Sequence, residues 1–103
     1  MESKYRVIIS DRALSMLTDH ISFLSKVSVD SANKLKQIII NEIKELKSFP
    51  EKYPWITYEL LPKNKYHKKV INKRYIVIYQ IKENTIYVDY IIDGRQDYSW
   101  LIS

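Results

Sequence analysis

Residues 75–92 read YIVIYQIKENTIYVDYII, and this stretch decides the fold. Two runs rich in β-branched and aromatic residues, 75–81 and 85–92, are separated by the short polar stretch Lys82-Glu83-Asn84. Runs of this kind, joined by a tight polar connection, predict two antiparallel strands that form a hairpin. Residues 75–79 are apolar at every position, so they would be covered on both faces. The first strand of the hairpin is therefore predicted to lie centrally in a sheet.

Two further strands are predicted outward from the hairpin. Residues 66–72 form a short β-prone run just before it, and residues 4–10, KYRVIIS, alternate polar and apolar side chains near the start of the chain. Residues 51–64 are irregular, but they carry aromatic side chains between prolines. We expect this segment to pack onto the domain as a loop.

Between the first strand and the irregular segment, apolar residues recur at steps of three and four, which is typical of amphipathic helices. A first helix should start after Ser10, whose hydroxyl can cap it, and run to about residue 26. A second should be capped by Ser28 or Asp30 and end at Phe49-Pro50, because the residue before a proline is driven out of the α region. Its apolar stripe comprises Ala32, Leu35, Ile38, Ile39, Ile43 and Leu46.

The predicted order is therefore β-α-α-β-β-β, an α+β fold. Helices must bury their apolar stripes, and a sheet face is the large apolar surface available to them. We expect a helical hairpin packed on one face of a four-stranded, mostly antiparallel sheet, with the other face partly open. The length of 103 residues corresponds to a single domain, 1–103.

Composition narrows the possible chemistry. The sequence has no cysteine, which excludes disulfides, thiolate metal sites and a cysteine nucleophile, and it fits a cytoplasmic protein. Its one glycine excludes a glycine-rich phosphate loop. No apolar run approaches the roughly 20 residues of a membrane span. We expect no metal and no cofactor, and neither the spacing of His20 and His67 nor that of Asp89, Asp93 and Asp97 suggests a metal site.

The net charge is +5, and every charged residue between positions 63 and 74 is a cation. Such a cluster attracts phosphates or an acidic protein segment, although a solvated lysine-rich surface without a partner is an equal alternative. The cations are Lys63, Lys65, Lys68, Lys69, Lys73 and Arg74. His67 lies among them as either a possible base or an ordinary exposed strand histidine.

Four segments together resemble the RelE/ParE superfamily of toxins, of the plasmid-stabilisation type, from type II toxin–antitoxin systems. They are VIISDRAL at 7–14, LKSFPEKYP at 46–54, KRYIVIY at 73–79 and IDGRQDY at 92–98, in the order typical of the family. The resemblance implies a growth-inhibiting toxin that is neutralised by a cognate antitoxin protein. A non-toxic small basic RNA- or protein-binding domain, or an inactivated toxin relative, is the alternative.

The resemblance also implies candidate site residues. In RelE-like toxins, which cleave messenger RNA on the ribosome, sheet cations and a C-terminal aromatic residue carry the chemistry. Here the matching candidates are Lys68, Lys69, Arg95 and Tyr98, while Ile76 stands where an arginine would be expected. ParE-like toxins instead bind DNA gyrase and perform no chemistry.

Contacts with the target or the antitoxin are expected from a further set of residues. They are Lys65, His67, Lys73 and Arg74. All these cations are expected to share one concave surface on the sheet.

Overall fold

The computed structural model describes residues 5–56 and 63–95, and it has the predicted order of elements. The two helices are separated by only a few residues, and a single 3₁₀ turn precedes the last three strands. The elements are β1 (Arg6–Ile9), α1 (Asp11–Ser25), α2 (Val29–Glu45), the 3₁₀ turn (Pro50–Lys52), β2 (His67–Ile71), β3 (Tyr75–Lys82) and β4 (Thr85–Asp93).

The four strands form one sheet in the order β1-β4-β3-β2. Strands β2, β3 and β4 pair antiparallel, whereas β1 lies parallel to β4 at the opposite edge. The parallel pair is possible because β1 and β4 are joined by a long connection, which contains the helical hairpin, β2 and β3. The predictions of a mostly antiparallel sheet and of a central position for β3 are confirmed.

Serine hydroxyls cap both helices. Ser10 Oγ accepts a hydrogen bond of 3.0 Å from the backbone N–H of Ala13, and Ser28 Oγ accepts one of 3.1 Å from that of Ser31. Each bond satisfies an amide that has no partner within its own helix. Of the two predicted caps for α2, Ser28 is the one used.

The main core lies between the helical hairpin and one face of the sheet. On β3 the alternate residues Tyr75, Val77 and Tyr79 face the helices and are buried. Burying such side chains gives the domain most of its stability. From the helices and the neighbouring strands the core receives Ala13, Leu17, Leu35, Ile39, Ile43, Leu46, Ile71, Ile86, Val88 and Ile91.

The described part of the irregular segment packs against the domain, as predicted. Tyr79 donates its hydroxyl hydrogen to the carbonyl of Pro50 at 2.5 Å. Further along the chain, the backbone N–H of Ile56 donates to the backbone carbonyl of Tyr66 at 2.7 Å. The backbone N–H of Lys68 donates to the carbonyl of Pro54 at 3.0 Å. These bonds cover part of the outer edge of β2, which would otherwise present unpaired backbone groups.

The turn between β2 and β3 meets the end of β4 very closely. Asn72 and Lys73 both have positive φ angles, of 53° and 59°, and Ile71 accepts a backbone hydrogen bond of 3.1 Å from Arg74, as in a type I′ turn. Gly94 then donates its N–H to the Arg74 carbonyl at 2.6 Å. A Cβ atom on Gly94 would lie 2.7 Å from that same oxygen, so only glycine fits there without a shift of the backbone.

Replacing Gly94 by alanine should therefore lower the free energy of unfolding by about 1–3 kcal/mol, because the methyl group must push backbone away from backbone. Urea unfolding followed by circular dichroism measures the change. Asn84→Ala, on the exposed turn at the other end of β4, is the control and should change stability by less than about 0.5 kcal/mol. Equal midpoints for Gly94→Ala and the wild-type protein would contradict the close approach.

Candidate functional site

Lys68 and Lys69 lie on opposite faces of the sheet. Along β2 the residues His67, Lys69 and Ile71 are buried towards the helices, whereas Lys68 and Val70 are exposed on the other face. Neighbouring residues of a strand point to opposite faces, so both lysines cannot serve one site. The prediction of a single concave surface carrying all the cations is wrong for this reason.

Lys69 is a buried cation with its own counter-charges. Its ammonium lies 2.6 Å from Glu42 Oε2 and 3.6 Å from Glu45 Oε2, and it donates a hydrogen bond of 2.9 Å to the Glu42 carbonyl. The ring of Tyr53 lies 4.9 Å away. Burial alone would lower the pKa of Lys69, but the hydrogen bonds with Glu42 and Tyr53 outweigh it and raise that pKa. The Lys69 ammonium therefore joins β2 to the last turns of α2, where the helix dipole favours a cation.

His67 is enclosed between two aromatic rings. Its ring stacks on Trp55 at a centroid distance of 3.9 Å and on Tyr79 at 5.2 Å, and the residue is 3% exposed. Nδ1 lies 2.7 Å from the Tyr53 carbonyl, which only accepts, so Nδ1 carries a hydrogen. The expectation of an exposed strand histidine is wrong. A ring enclosed in this way packs the edge of the sheet and is not available to a large substrate.

Arg74 and Arg95 meet at the buried carboxylate of Asp93. Arg74 donates to Asp93 Oδ2 from Nε at 3.1 Å and from Nη2 at 2.8 Å. On the other oxygen, Oδ1, the backbone N–H of Arg95 donates at 3.0 Å and the Arg95 Nε lies at 3.6 Å. The hydrogen bonds from Arg74 are the largest cause of a lowered pKa for Asp93, against the opposing effect of burial. The structure therefore brings two of the predicted residues together at the end of the sheet.

An open groove of about 870 Å³ separates this cluster from α1. His20 supports its floor, because its Nε2 lies 2.9 Å from the Ile91 carbonyl and its ring lies 5.4 Å from that of Tyr75. Apolar side chains of α1 form one wall and the arginine cluster forms the other. The lining residues are Met16, Asp19, His20, Phe23, Leu24, Val27, Arg74, Tyr75, Asp93 and Arg95.

The sheet face away from the helices, called the second face below, carries a separate group of polar side chains. Strand pairing places Lys68 opposite Ile78 and Ile78 opposite Tyr90, so these residues share that face. A β-bulge interrupts the pairing between Val88 and Tyr90, and it leaves Asp89 without a partner on β3. Bulges re-aim side chains and are frequent beside functional sites.

The bulged Asp89 accepts a hydrogen bond of 2.7 Å from the Gln80 side-chain amide. Burial raises the pKa of Tyr66, and the neighbouring Asp89 carboxylate raises it further. At the same end of the face, the guanidinium of Arg12 lies 4.8 Å from the centre of the Tyr90 ring. The sequence did not reveal this group, because a bulge leaves no recognisable pattern in a short β-prone run.

The other predicted site residues are dispersed. Lys65 is exposed before β2, with its ammonium 5.2 Å from the Tyr66 ring centre, and Lys73 is exposed in the turn between β2 and β3. Tyr98 lies outside the described residues. Ile76 lies opposite Val70, which places it on the second face. Within residues 5–56 and 63–95, no group of His, Asp and Glu side chains has the arrangement of a metal site.

Comparisons with known proteins identify the family. The family described as "ParE toxin of type II toxin-antitoxin system, parDE" matches residues 7–98. The chain belongs to this family. The fold is also similar to a chain from the solved structure titled "Chromosomal ParDE TA system from P. aeruginosa", with a TM-score of 0.73 at 13% identity, over 89% of this chain and 98% of that one. A search of curated proteins finds no match.

The ParE assignment supports a toxin role and implies a cognate antitoxin as partner. Two helices on a four-stranded mixed sheet, in the order observed, are consistent with a ParE-like fold. Among the described helices, none combines the length and apolar character that crossing a bilayer requires.

The buried position of Lys69 gives a stability prediction. Lys69→Ala removes the cation from between Glu42 and Glu45, and the free energy of unfolding should fall by about 1–3 kcal/mol. Chemical denaturation measures it. Lys68→Ala is the matched control, since it removes the neighbouring lysine from the exposed second face and should cost less than about 0.5 kcal/mol. Equal losses of unfolding free energy in the two variants would show that the ion pairs of Lys69 do not stabilise the contact between β2 and α2.

Asp93 gives a pH prediction. Its folded-state pKa lies below the ordinary 3.8, so the carboxylate stabilises the fold above about pH 4, and this contribution is lost as pH falls through the lowered pKa. Asp93→Asn should be less stable than the wild-type protein at pH 7, and the difference should shrink as the pH is lowered towards about 2. Thermal unfolding across this range tests it. A difference that does not vary with pH would contradict the Arg74–Asp93 interaction.

Proposed function

We propose that this ParE-family chain arrests growth by binding DNA gyrase in the cytoplasm through the second face of its sheet, without a covalent step. The observation that carries the proposal is the separation of the cations expected in an RNA-cleaving site. Lys69 is buried against two glutamates on one face, Lys68 is exposed on the other, and Arg95 lies at Asp93 beyond the end of β4.

Cleavage of RNA needs several groups around one phosphate. One group takes a proton from the ribose hydroxyl, another gives a proton to the leaving oxygen, and cations stabilise the charge between them, all within hydrogen-bonding distance. Lys69 is enclosed on the helix side of the sheet, so it cannot join Lys68 at such a centre. The apolar Ile76 lies close to Lys68 on the second face, where an arginine would be needed.

The second face has features of a protein-binding surface. Two apolar side chains, Ile8 and Val70, are 45% and 54% exposed, although both belong to strands. Lys68 and Val70 lie on the edge strand β2, Ile8 lies on the opposite edge strand β1, and Tyr90 lies on β4 between these edges. Aromatic residues with arginine at the margin, as Arg12 is here, are enriched at interfaces. The helices cover the opposite face, whereas on the second face Lys68 and Val70 are exposed along β2, although Ile78 and Ile92 at its centre are buried.

Two assays on the same purified protein test the proposal. We expect inhibition of DNA supercoiling by gyrase and intact messenger RNA in translating ribosomes. Lys68→Glu should weaken the gyrase inhibition at least about tenfold, because it reverses a charge within the contact surface. Lys36→Glu, an exposed lysine on α2, makes the same charge change away from that surface and should leave inhibition unchanged.

Specific cleavage of messenger RNA by the wild-type protein, with normal supercoiling, would overturn the proposal in favour of RNA cleavage. Normal growth on induction without the antitoxin would instead favour an inactivated toxin or a non-toxic binding domain. Equal effects of Lys68→Glu and Lys36→Glu on supercoiling would leave gyrase as the target but remove the second face as the contact surface.

A further inference from the structure

A depression of about 570 Å³ lies at the outer edge of β2, beside the 3₁₀ turn. Its volume falls within the roughly 300–1,000 Å³ of small-molecule sites. It shares no described lining residue with the groove along α1. The side chains that give it a chemical character are those of Glu51, Lys52, Trp55, Lys65 and His67.

Trp55 provides an aromatic surface in this depression. One face of its indole ring stacks on the His67 ring at a centroid distance of 3.9 Å and an interplanar angle of 27°. Trp55 is nevertheless 44% exposed, so the other face of the indole is open. An isolated β-bridge between Trp55 and His67 holds the backbone beneath the two rings. An open indole face that is fixed in this way is a surface on which an unpaired base stacks.

His67 directs an unused acceptor into the depression. The residue is buried, and its Nδ1 donates to the Tyr53 carbonyl, so Nε2 of the neutral ring is an acceptor. Across the described part of the chain, no group bonds to Nε2, and no fully buried side-chain nitrogen or oxygen lacks a partner. Nε2 therefore reaches the open space that His67 lines. The Glu51 carboxylate, whose Oε1 accepts from the Tyr5 hydroxyl at 3.4 Å, is a second acceptor there.

Two lysines supply positive charge beside these acceptors, and each ammonium lies near a tyrosine ring. The ammonium of Lys52 is 5.1 Å from the ring centre of Tyr53. That of Lys65 is 5.2 Å from the ring centre of Tyr66. In the part of the chain that the structure describes, neither lysine forms an ion pair with a carboxylate. Their charges are therefore available to a phosphate, unlike that of Lys69, which two glutamates neutralise.

We propose that this depression binds a free ribonucleotide. The base stacks on Trp55, the phosphate lies between Lys52 and Lys65, and the sugar hydroxyls donate to His67 Nε2 and to Glu51. The three parts of such a ligand match the three kinds of group present, namely an aromatic plane, cations and hydrogen-bond acceptors. A simple anion would meet the lysines alone and leave the indole face and both acceptors unused. The inference does not depend on gyrase being the target, because the depression lies outside the second face.

Titration of the purified chain with the common ribonucleoside monophosphates tests the proposal. Two-dimensional amide NMR should show saturable binding of at least one of them below about 1 mM. The signals that shift should belong to residues 51–55 and 64–67, which contain most of the lining of the depression. The absence of saturable binding below that concentration would overturn the proposal, and so would shifts confined to Arg74 and Arg95.

Two pairs of variants test the contacts with the phosphate and with the base. Lys52→Glu should weaken nucleotide binding at least about tenfold, because it reverses a charge beside the phosphate, whereas Lys36→Glu makes the same change on α2 and should leave the affinity unchanged. Equal losses in these two variants would contradict a defined phosphate contact.

Trp55→Ala should weaken binding at least about fivefold, because it removes the stacking surface, while Trp55→Phe keeps a ring and should retain most of the affinity. Phe49→Ala is the matched control, since Phe49 is exposed beside the 3₁₀ turn but does not line the depression. Circular dichroism confirms that the variants fold, and Lys52→Glu, at an exposed position, tests the site even where Trp55→Ala does not fold. Wild-type affinity in a folded Trp55→Ala variant would rule out the base contact.

Changes to the ligand test the acceptors and the source of the nucleotide. A nucleotide that lacks both sugar hydroxyls should bind the wild-type chain at least about fivefold more weakly, because His67 and Glu51 then lose their donors. A nucleoside without phosphate should bind weakly, and equally to the wild-type chain and to Lys52→Glu. Inorganic phosphate that binds as tightly as the nucleotide would reduce the depression to a simple anion site. A short single-stranded RNA that binds far more tightly than any monophosphate would replace the free nucleotide by an RNA strand.

Discussion

The contact between Lys69 and the end of α2 determines which face of the sheet each side chain of β2 occupies. An ammonium buried against a sheet is unfavourable unless carboxylates and carbonyl oxygens surround it, and Glu42, with Glu45, meets that need. Because side chains alternate along a strand, fixing Lys69 towards the helices fixes Lys68 and Val70 outward. A shift of β2 by one residue would bury Lys68 and Val70 and expose His67 and Lys69.

The sequence predicted the fold more successfully than the site because the two depend on different distances along the chain. Strands, helices and caps follow from patterns within about ten residues, such as the serine at position 10 before the α1 stripe. The cations are also close together in the sequence, but the acidic residues that pair with them are not. Lys69 is neutralised by a residue 27 positions away, and Arg74 by one 19 positions away.

The bulge at Asp89 illustrates a second reason why site prediction fails. The β-prone run 85–92 predicts a regular strand, and an uninterrupted strand would send Asp89 and Val88 to opposite faces in strict alternation. The extra residue places Tyr90 and Val88 on opposite faces of the sheet. It also leaves the Asp89 carboxylate beside Gln80 and near Tyr66. Only the pairing with β3 reveals this arrangement, and pairing is not encoded within the run itself.

The arginine cluster beside the groove along α1 is fixed by its backbone as well as by its side chains. The Arg74 carbonyl accepts from Gly94, its N–H donates to Ile71, and its guanidinium is held by Asp93. Because Arg74 is already ordered by these three contacts, an anion that binds beside it does not have to order this side chain first, so less conformational entropy is lost on binding.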